Sequence, residues 1–315
     1  MKQLKIKSEA FQYVEKSFKE WLDILGYASS TVYQMPNYVR ELFYWLETEK
    51  QITQINQITT PLIKEHYNNL KYRSNQRRSG ALSNNYLNKH LQGLYKFMDY
   101  LRQTGRLTLP HLEINREDPS PKAIQVLTVE EIKNLYTAAE NHINNAKFEA
   151  IAARDKAMLS IFYGCGLRRN EGYYLDLSDI NFDKQIIHVR KGKNYKERFV
   201  PFNKTNAKII EHYVFDYRPY FSNAKEINAL FVSVKGYRME AQSIAMRLKI
   251  LQQKTDDITL QQKDISLHTL RHSIATHLLQ AGMNLEKISQ FLGHSSLEST
   301  QIYTHLIEQE TTLNF

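Results

Sequence analysis

Residues 180–201, INFDKQIIHVRKGKNYKERFVP, decide the fold class of this chain because they form its clearest β-rich stretch. The segments INFDKQIIHV and RFVPF are rich in the β-branched and aromatic residues that favour strands, and the polar run KGKNYKE joins them. This pattern predicts a β-hairpin. On both sides of it apolar residues recur mainly at helical spacing. The sequence therefore predicts a mainly α protein with a small β-sheet.

Residues 1–105 are predicted to form a four-helix domain. Apolar residues recur at helical spacing over 11–25 and again over 32–46. Thr60-Pro61 starts a third helix, with proline in its first turn, and Ser83 is placed to cap a fourth. The connections between these helices are short, as is typical of a helical bundle.

A linker is predicted at residues 106–126, where three prolines interrupt any periodic pattern. The second domain, 127–315, opens with Thr128 and Glu131 at the spacing of a capping box. After the predicted hairpin the pattern is helical again to about Ile307. The second domain is therefore predicted to be mixed α/β but mainly helical.

The charge of the chain favours a polyanionic partner. It has 42 Lys and Arg against 33 Asp and Glu, a net charge of +9, and a pI near 9.3. Residues 1–104 hold 15 of these cations and 9 of the acids. Such a balance suits nucleic acid or an acidic membrane surface. A single cysteine excludes a disulfide framework, and no apolar run reaches the ~18 residues of a membrane span. A cytoplasmic protein with no membrane partner is expected.

A basic loop between the third and fourth predicted helices is the candidate DNA-binding segment. Its cations are Lys71, Arg73, Arg77, Arg78 and Lys89. A basic loop that leads into a helix N-terminus suits phosphate, because backbone N–H groups and the helix dipole add to the side chains. A solvated surface loop would give the same pattern.

Polar residues that could carry chemistry concentrate in four segments of the second domain. They are YGCGLRRNEGYYLDL at 163–177, GKNYKER at 192–198, SLHTLRHSIATHLLQAG at 266–282, and LGHSSLESTQIYTHL at 292–306. Arginine in the first and third can offer a planar, two-pronged donor to phosphate. A tyrosine in the fourth could act as a nucleophile if nearby cations or a base activate it.

Each segment also has a plainer interpretation. Arg168 could pair with Glu171 along one helix, and the GKNYKER turn could face solvent. His268 and His272, four residues apart, could bind zinc, but the HExxH pattern and a cysteine pair are both absent. Tyr303 alone could be a half-buried packing residue. The sequence predicts no metal site.

Taken together and in this order, the four segments closely resemble the tyrosine recombinase family of phage integrases and Xer-type recombinases. The family's first arginine lies in a GLR-x-x-E segment, its lysine on a GKGxKER-like hairpin, and its second arginine in an HxxR box. A histidine follows in LGH, and the nucleophilic tyrosine lies nine residues further on. By this resemblance the catalytic residues are Arg168, Lys193, His268, Arg271, His294 and Tyr303.

The resemblance also implies the roles of the two domains, the reaction and the assembly. The helical domain would be a SAM-like core-binding domain that clamps DNA, and the second domain would be the mixed α/β catalytic domain. The enzyme would cut and rejoin strands at a double-stranded recombination site through a 3′-phosphotyrosine and a Holliday junction. It would act without a cofactor, as a tetramer of identical chains or with a paralogue, at the nucleoid. The alternatives are a DNA-binding protein of this fold without cleavage and a type IB topoisomerase.

Overall fold

The computed structural model describes residues 4–75, 80–118, 124–140, 146–190, 197–293 and 300. The chain divides into two compact units, Met1–Lys122 and Ala123–Phe315. Each has its own apolar core. Among the described residues, no helix combines the length and the apolar character that crossing a membrane requires.

The described part of the first unit contains four helices, as predicted. They are α1 (Glu9–Ile24), α2 (Ser29–Glu49), α3 (Thr60–Tyr72) and α4 (Asn84–Gln103), with a 3-10 turn at Ile55–Gln57. Ser83 caps α4 by accepting a hydrogen bond from the backbone N–H of Tyr86. Pro61 lies in the first turn of α3, where a missing N–H costs nothing.

Aromatic rings fill the core between α1, α2 and α4. Phe11 stacks on Phe43 with ring centroids 4.3 Å apart, and Phe18 meets Phe97 edge-on at 5.5 Å. All four rings are fully buried. Burying one such side chain stabilises the fold by about 1.5–3 kcal/mol. The helical periodicity in the sequence thus follows from one continuous core.

Residues 106–118, which are predicted to belong to a linker, pack within the first unit. Leu112 is 1% exposed. The Tyr95 hydroxyl donates to the carbonyl of Leu112 at 2.6 Å, and the Asn88 side chain bonds both backbone groups of Glu117. The segment lacks helical periodicity, yet its leucines pack against the core and side chains of α4 hydrogen-bond its backbone.

The second unit is mainly helical around one small sheet. Its helices are α5 (Val129–Glu140), α6 (Ala146–Leu159), α7 (Arg169–Tyr174), α8 (Lys204–Glu211), α9 (Ala241–Lys254), α10 (Ile258–Gln262), α11 (Leu267–Gln280) and α12 (Leu285–Leu292). π-helical turns extend α6 over Ser160–Gly164 and α8 over His212–Tyr217. The predicted capping box is confirmed: Glu131 N donates to Thr128 Oγ1 at 3.1 Å, and Thr128 N donates to Glu131 Oε2 at 2.9 Å.

The predicted hairpin is a three-stranded antiparallel sheet in the order β1 (Ile180–Asn181), β2 (Ile186–Val189), β3 (Arg198–Pro201). A turn at 182–185 breaks the first predicted strand in two, with Gln185 in the left-handed region at φ 51°. Ile187 pairs with Ile180 on one side and Val200 on the other, and it is fully buried. Alternation along β2 and β3 turns one face of the sheet into the core.

The continuous helical pattern predicted after the hairpin is wrong for residues 218–240. Short 3-10 turns at Arg218–Tyr220 and Ala224–Glu226 and two isolated β-bridges replace it. The buried Arg218 guanidinium donates to the carbonyls of Ala224, Ile227 and Ala229. One cation thereby satisfies carbonyls that a helix would have bonded internally.

Candidate active site

Arg168 lies where α6 has ended and α7 begins. The π-helical end of α6 stops at Gly164, and Gly166 turns the chain with φ 60°. Arg168 is the N-cap of α7, and its backbone N–H donates to Glu171 Oε2 at 2.8 Å. Its guanidinium donates to Glu171 Oε1 at 2.7 Å and to the carbonyl of Gly293 at 2.9 Å. The Arg168–Glu171 pair that the plainer interpretation predicted is therefore present.

Arg271, on α11, binds backbone groups close to those that surround Arg168. It is 3% exposed. Its Nη1 donates to the carbonyl of Gly166 and its Nη2 to the carbonyl of Leu292, each at 2.6 Å. Arg271 binds the carbonyl of Leu292 and Arg168 binds the next carbonyl, that of Gly293. Both lie at the C-terminus of α12, where the helix dipole favours cations. The structure brings together these two sequence-predicted arginines directly before His294.

A buried carboxylate, that of Glu171, connects the arginines. Arg198, the first residue of β3, donates Nη1 to Glu171 Oε1 at 2.9 Å and Nη2 to Oε2 at 2.8 Å. Arg271 Nη1 lies 4.0 Å from Oε2. Burial opposes ionisation of Glu171, but the hydrogen bonds and charges of Arg198 and Arg168 outweigh it and lower the pKa to about 2. Glu171 is therefore an anion among guanidinium groups.

His268 lies one helical turn before Arg271 on α11 and is exposed. Desolvation of its imidazole lowers its pKa, and the charges of Arg271, Arg169 and Arg168 lower it further. A lowered pKa keeps the ring mostly neutral at neutral pH, so it can both donate and accept a proton. Ser266 begins the helix by accepting from the backbone N–H of Thr269.

His272 and His277 lie further along α11 than His268. Among the described residues, no group of three or more His, Cys, Asp or Glu side chains is placed to hold a metal ion. The hydroxyl of Tyr163 lies 2.9 Å from His277 Nδ1. Burial, with the charges of His268 and Arg271, lowers the pKa of His272 to about 4. Both rings are partly buried, as packing side chains are.

Three of the six predicted catalytic residues, Lys193, His294 and Tyr303, lie outside the described part of the chain. Two of the predicted DNA-binding residues, Arg77 and Arg78, lie outside it as well. Their placement at the site stays a prediction.

The other predicted DNA-binding cations differ in whether a nearby carboxylate balances their charge. Lys71 Nζ lies 2.5 Å from Glu117 Oε1, and Arg73 Nη1 lies 3.1 Å from Glu41 Oε1. Lys89 is exposed on α4. A carboxylate of the same unit already balances part of the charge of Lys71 and Arg73, so Lys89 presents the least compensated charge of these three.

The roles of Glu171 and Arg198 were not predicted from the sequence. Glu171 was expected to be a simple helix partner, and Arg198 one cation in a solvent-facing turn. In the structure the Arg198 side chain is 13% exposed and binds a carboxylate 27 residues earlier. The only sequence signal was position, because Arg198 stands at the start of the predicted strand RFVPF.

Comparisons with known proteins identify relatives of this chain. The Phage integrase family matches residues 125–310. The tyrosine recombinase XerD of Pseudomonas putida is 34% identical over 222 residues, covering 69% of this chain and 70% of that protein. The tyrosine recombinase XerC of Syntrophus aciditrophicus is 31% identical over 301 residues, covering 92% and 91%.

Solved structures share the fold. The XerH site-specific recombinase bound to difH substrate, a pre-cleavage complex, superposes with a TM-score of 0.71 at 19% identity, covering 97% of this chain and 84% of that one. A lambda integrase dimer bound to a COC′ core site gives 0.62 at 15% identity, covering 93% and 76%. The family match and the identity to XerD and XerC establish membership: this chain belongs to the phage integrase family of tyrosine-type site-specific recombinases.

Proposed function

We propose that this recombinase cuts and rejoins double-stranded DNA through a covalent bond between Tyr303 and a 3′ phosphate. The observation that carries the proposal is the convergence of Arg168 and Arg271 on the end of α12, with His268 one turn from Arg271. With Arg198 included, three guanidinium groups surround the single Glu171 carboxylate, so the cluster keeps a net positive charge. Such a site suits a phosphodiester, whose transition state gathers negative charge.

The chemistry conserves the energy of the phosphodiester bond. The Tyr303 oxygen attacks phosphorus, the bond to the 5′ oxygen breaks, and Lys193 gives that oxygen its proton. The 5′ hydroxyl of a partner strand later attacks the phosphotyrosine and releases Tyr303. Each step exchanges one phosphate ester for another, so the reaction needs neither a cofactor nor an external energy source.

Charge stabilisation falls to the arginines. Arg168 and Arg271 are always protonated and would bind the nonbridging oxygens as their charge grows. Loss of one such donor typically costs about 3–4 kcal/mol of transition-state stabilisation. His268, mostly neutral, would hydrogen-bond the phosphate or accept the proton of Tyr303, and His294 would bind a phosphate oxygen.

The assembly follows from the chemistry. Two duplexes exchanged strand by strand pass through a Holliday junction, which calls for four active sites, in a tetramer of this chain or with a paralogue. The helical domain, predicted at 1–105, and the catalytic domain, predicted at 127–315, would both bind DNA, and the segment 106–126 links them in the sequence. The DNA-facing cations would include Lys71, Arg73, Arg77, Arg78 and Lys89. Such an enzyme would integrate, excise or resolve DNA at the nucleoid, in the cytoplasm.

Relatives named for recombination favour this function over cleavage-free binding and over relaxation by a type IB topoisomerase. The XerH structure bears difH substrate, and the lambda integrase structure bears a core site. Both complexes contain DNA, which supports a reaction on DNA as the function of this chain.

A suicide substrate tests the proposal. The DNA is a duplex that the protein selects from a randomised pool, nicked near its centre so that a short fragment diffuses away after cleavage. Wild type should form a protein–DNA adduct that survives denaturing electrophoresis, and Tyr303→Phe should bind the DNA without forming it. Tyr220→Phe, a change at a tyrosine 66% exposed, is the control and should form the adduct. An adduct with Tyr303→Phe would contradict the assignment of the nucleophile.

A further inference from the structure

Arg198 touches both groups that hold Arg168. It grips the Glu171 carboxylate with two hydrogen bonds, and Arg168 binds the same carboxylate. The second partner of Arg168 is the carbonyl of Gly293, and a methyl group on Gly293 would lie 2.6 Å from Arg198 Cδ. Gly293 also has φ 64°, which glycine adopts without strain. The end of α12 therefore rests directly on the Arg198 side chain.

We propose that Arg198 is a positioning residue for DNA cleavage, which keeps Arg168 both fixed in place and free to neutralise phosphate. This inference rests on the proposed function. Arg198 itself is turned inward, with its side chain 13% exposed, so it acts through Glu171 and the end of α12.

The balance of charge around Glu171 explains why Arg168 would depend on Arg198. One carboxylate beside one arginine forms a neutral pair, and such a pair offers little to an anionic phosphate. Glu171 accepts two hydrogen bonds from Arg168 and two from Arg198. Arg198 balances the negative charge of Glu171. Arg168 can therefore stay bound to Glu171 while its own positive charge remains available to a phosphate.

Removing Arg198 should reverse this arrangement. Glu171 would then be balanced mainly by Arg168, and the two acceptor positions left empty would attract the nearest cation. Arg271 Nη1 already lies 4.0 Å from Glu171 Oε2. We expect the catalytic arginines to be drawn toward Glu171 and away from DNA, so that cleavage slows while binding through the rest of the interface is kept.

The test compares single-turnover cleavage of the suicide substrate by full-length variants with DNA affinity measured on the same duplex. Arg198→Gln should cleave about tenfold to a hundredfold more slowly, at an affinity within about twofold of wild type, since losses of supporting contacts at a site have about this size. Arg198→Lys keeps the charge but not the two-pronged geometry, and it should recover part of the rate.

Two further variants separate positioning from a purely structural role. Arg247→Gln removes another two-pronged pair, to the buried Asp155, and should cleave at the wild-type rate once corrected for folded protein. The double variant Glu171→Gln with Arg198→Gln removes the uncompensated anion, so it should cleave faster than Arg198→Gln alone. If Arg198 only held the fold together, the double variant would be as slow or slower.

The outcomes are distinct. Arg198→Gln at the wild-type rate, or a double variant no faster than Arg198→Gln, would overturn the positioning role while wild-type adduct formation still supported the proposed function. Failure of wild type itself to form the adduct on its selected DNA would instead overturn the proposed function.

Discussion

Replacing Glu171 by glutamine should destabilise the second unit by about 3–4 kcal/mol at neutral pH. The side chain is 3% exposed, and its neighbours lower its pKa from an ordinary 4.5 to about 2. Each unit of pKa difference between folded and unfolded chain is worth about 1.4 kcal/mol, which gives this total. Glutamine has nearly the same shape but leaves Arg168 and Arg198 without their anion.

The pH dependence has a definite sign. The folded-state pKa lies below that of the unfolded chain, so the stabilisation is complete above about pH 4.5 and disappears as the pH falls toward 2. The deficit of Glu171→Gln relative to wild type should therefore shrink over that window, because the wild-type carboxyl becomes neutral as well.

Chemical denaturation can follow the two units separately. Both tryptophans, Trp21 and Trp45, lie in the first unit, so their fluorescence reports that unit, whereas far-UV circular dichroism reports both. Glu171→Gln should move the dichroism transition of the second unit and leave the fluorescence transition in place. Glu130→Gln, a change at a carboxylate 70% exposed, is the control and should shift stability by at most about 0.5 kcal/mol.

Two results would refute this reasoning. One is a Glu171→Gln protein within about 0.5 kcal/mol of wild type, the range of an exposed pair. The other is a deficit that stays constant from neutral pH down to about pH 3, because linkage requires it to fall there.

Two further predictions concern the first unit. His66 is 2% exposed, and burial, with the charge of Arg73, lowers its pKa to about 3, below the 6.5 of the unfolded chain. Stability should therefore fall with the pH below about 6.5, and His66→Phe should reduce that slope by about 1.4 kcal/mol per pH unit in fluorescence-monitored denaturation; an unchanged slope would contradict it. Lys89→Gln should lower the salt dependence of DNA binding by about one phosphate contact, and Lys71→Gln by less, because Glu117 already balances Lys71; equal slopes for wild type and Lys89→Gln would place Lys89 off the DNA.

The local signals in the sequence predicted local structure well. Ser83 and the pair Thr128 and Glu131 cap helices where their spacing indicates, because a cap involves only the next three residues. The four helices of the first unit follow from periodicity, since one face of each must reach the core.

Two of the three departures depend on contacts that no local pattern in the sequence shows. Residues 106–118 read as a linker because a segment without periodicity gives no sign of the surface it will cover. Residues 218–240 were predicted to be helical because no local pattern shows that the Arg218 guanidinium will hydrogen-bond the carbonyls of this segment. The turn at 182–185 was hidden in a run of strand-forming residues.

By itself, the sequence determined the mainly helical class, the helix boundaries set by caps and glycines, and the residue types that handle a phosphate. Only the tertiary structure decided which charges balance which. Arg198 and Glu171 are 27 residues apart, and Arg168 and Gly293 are 125 apart. The strength of an ion pair depends on distance and burial, and both are fixed only when the sheet, α7 and the end of α12 pack together.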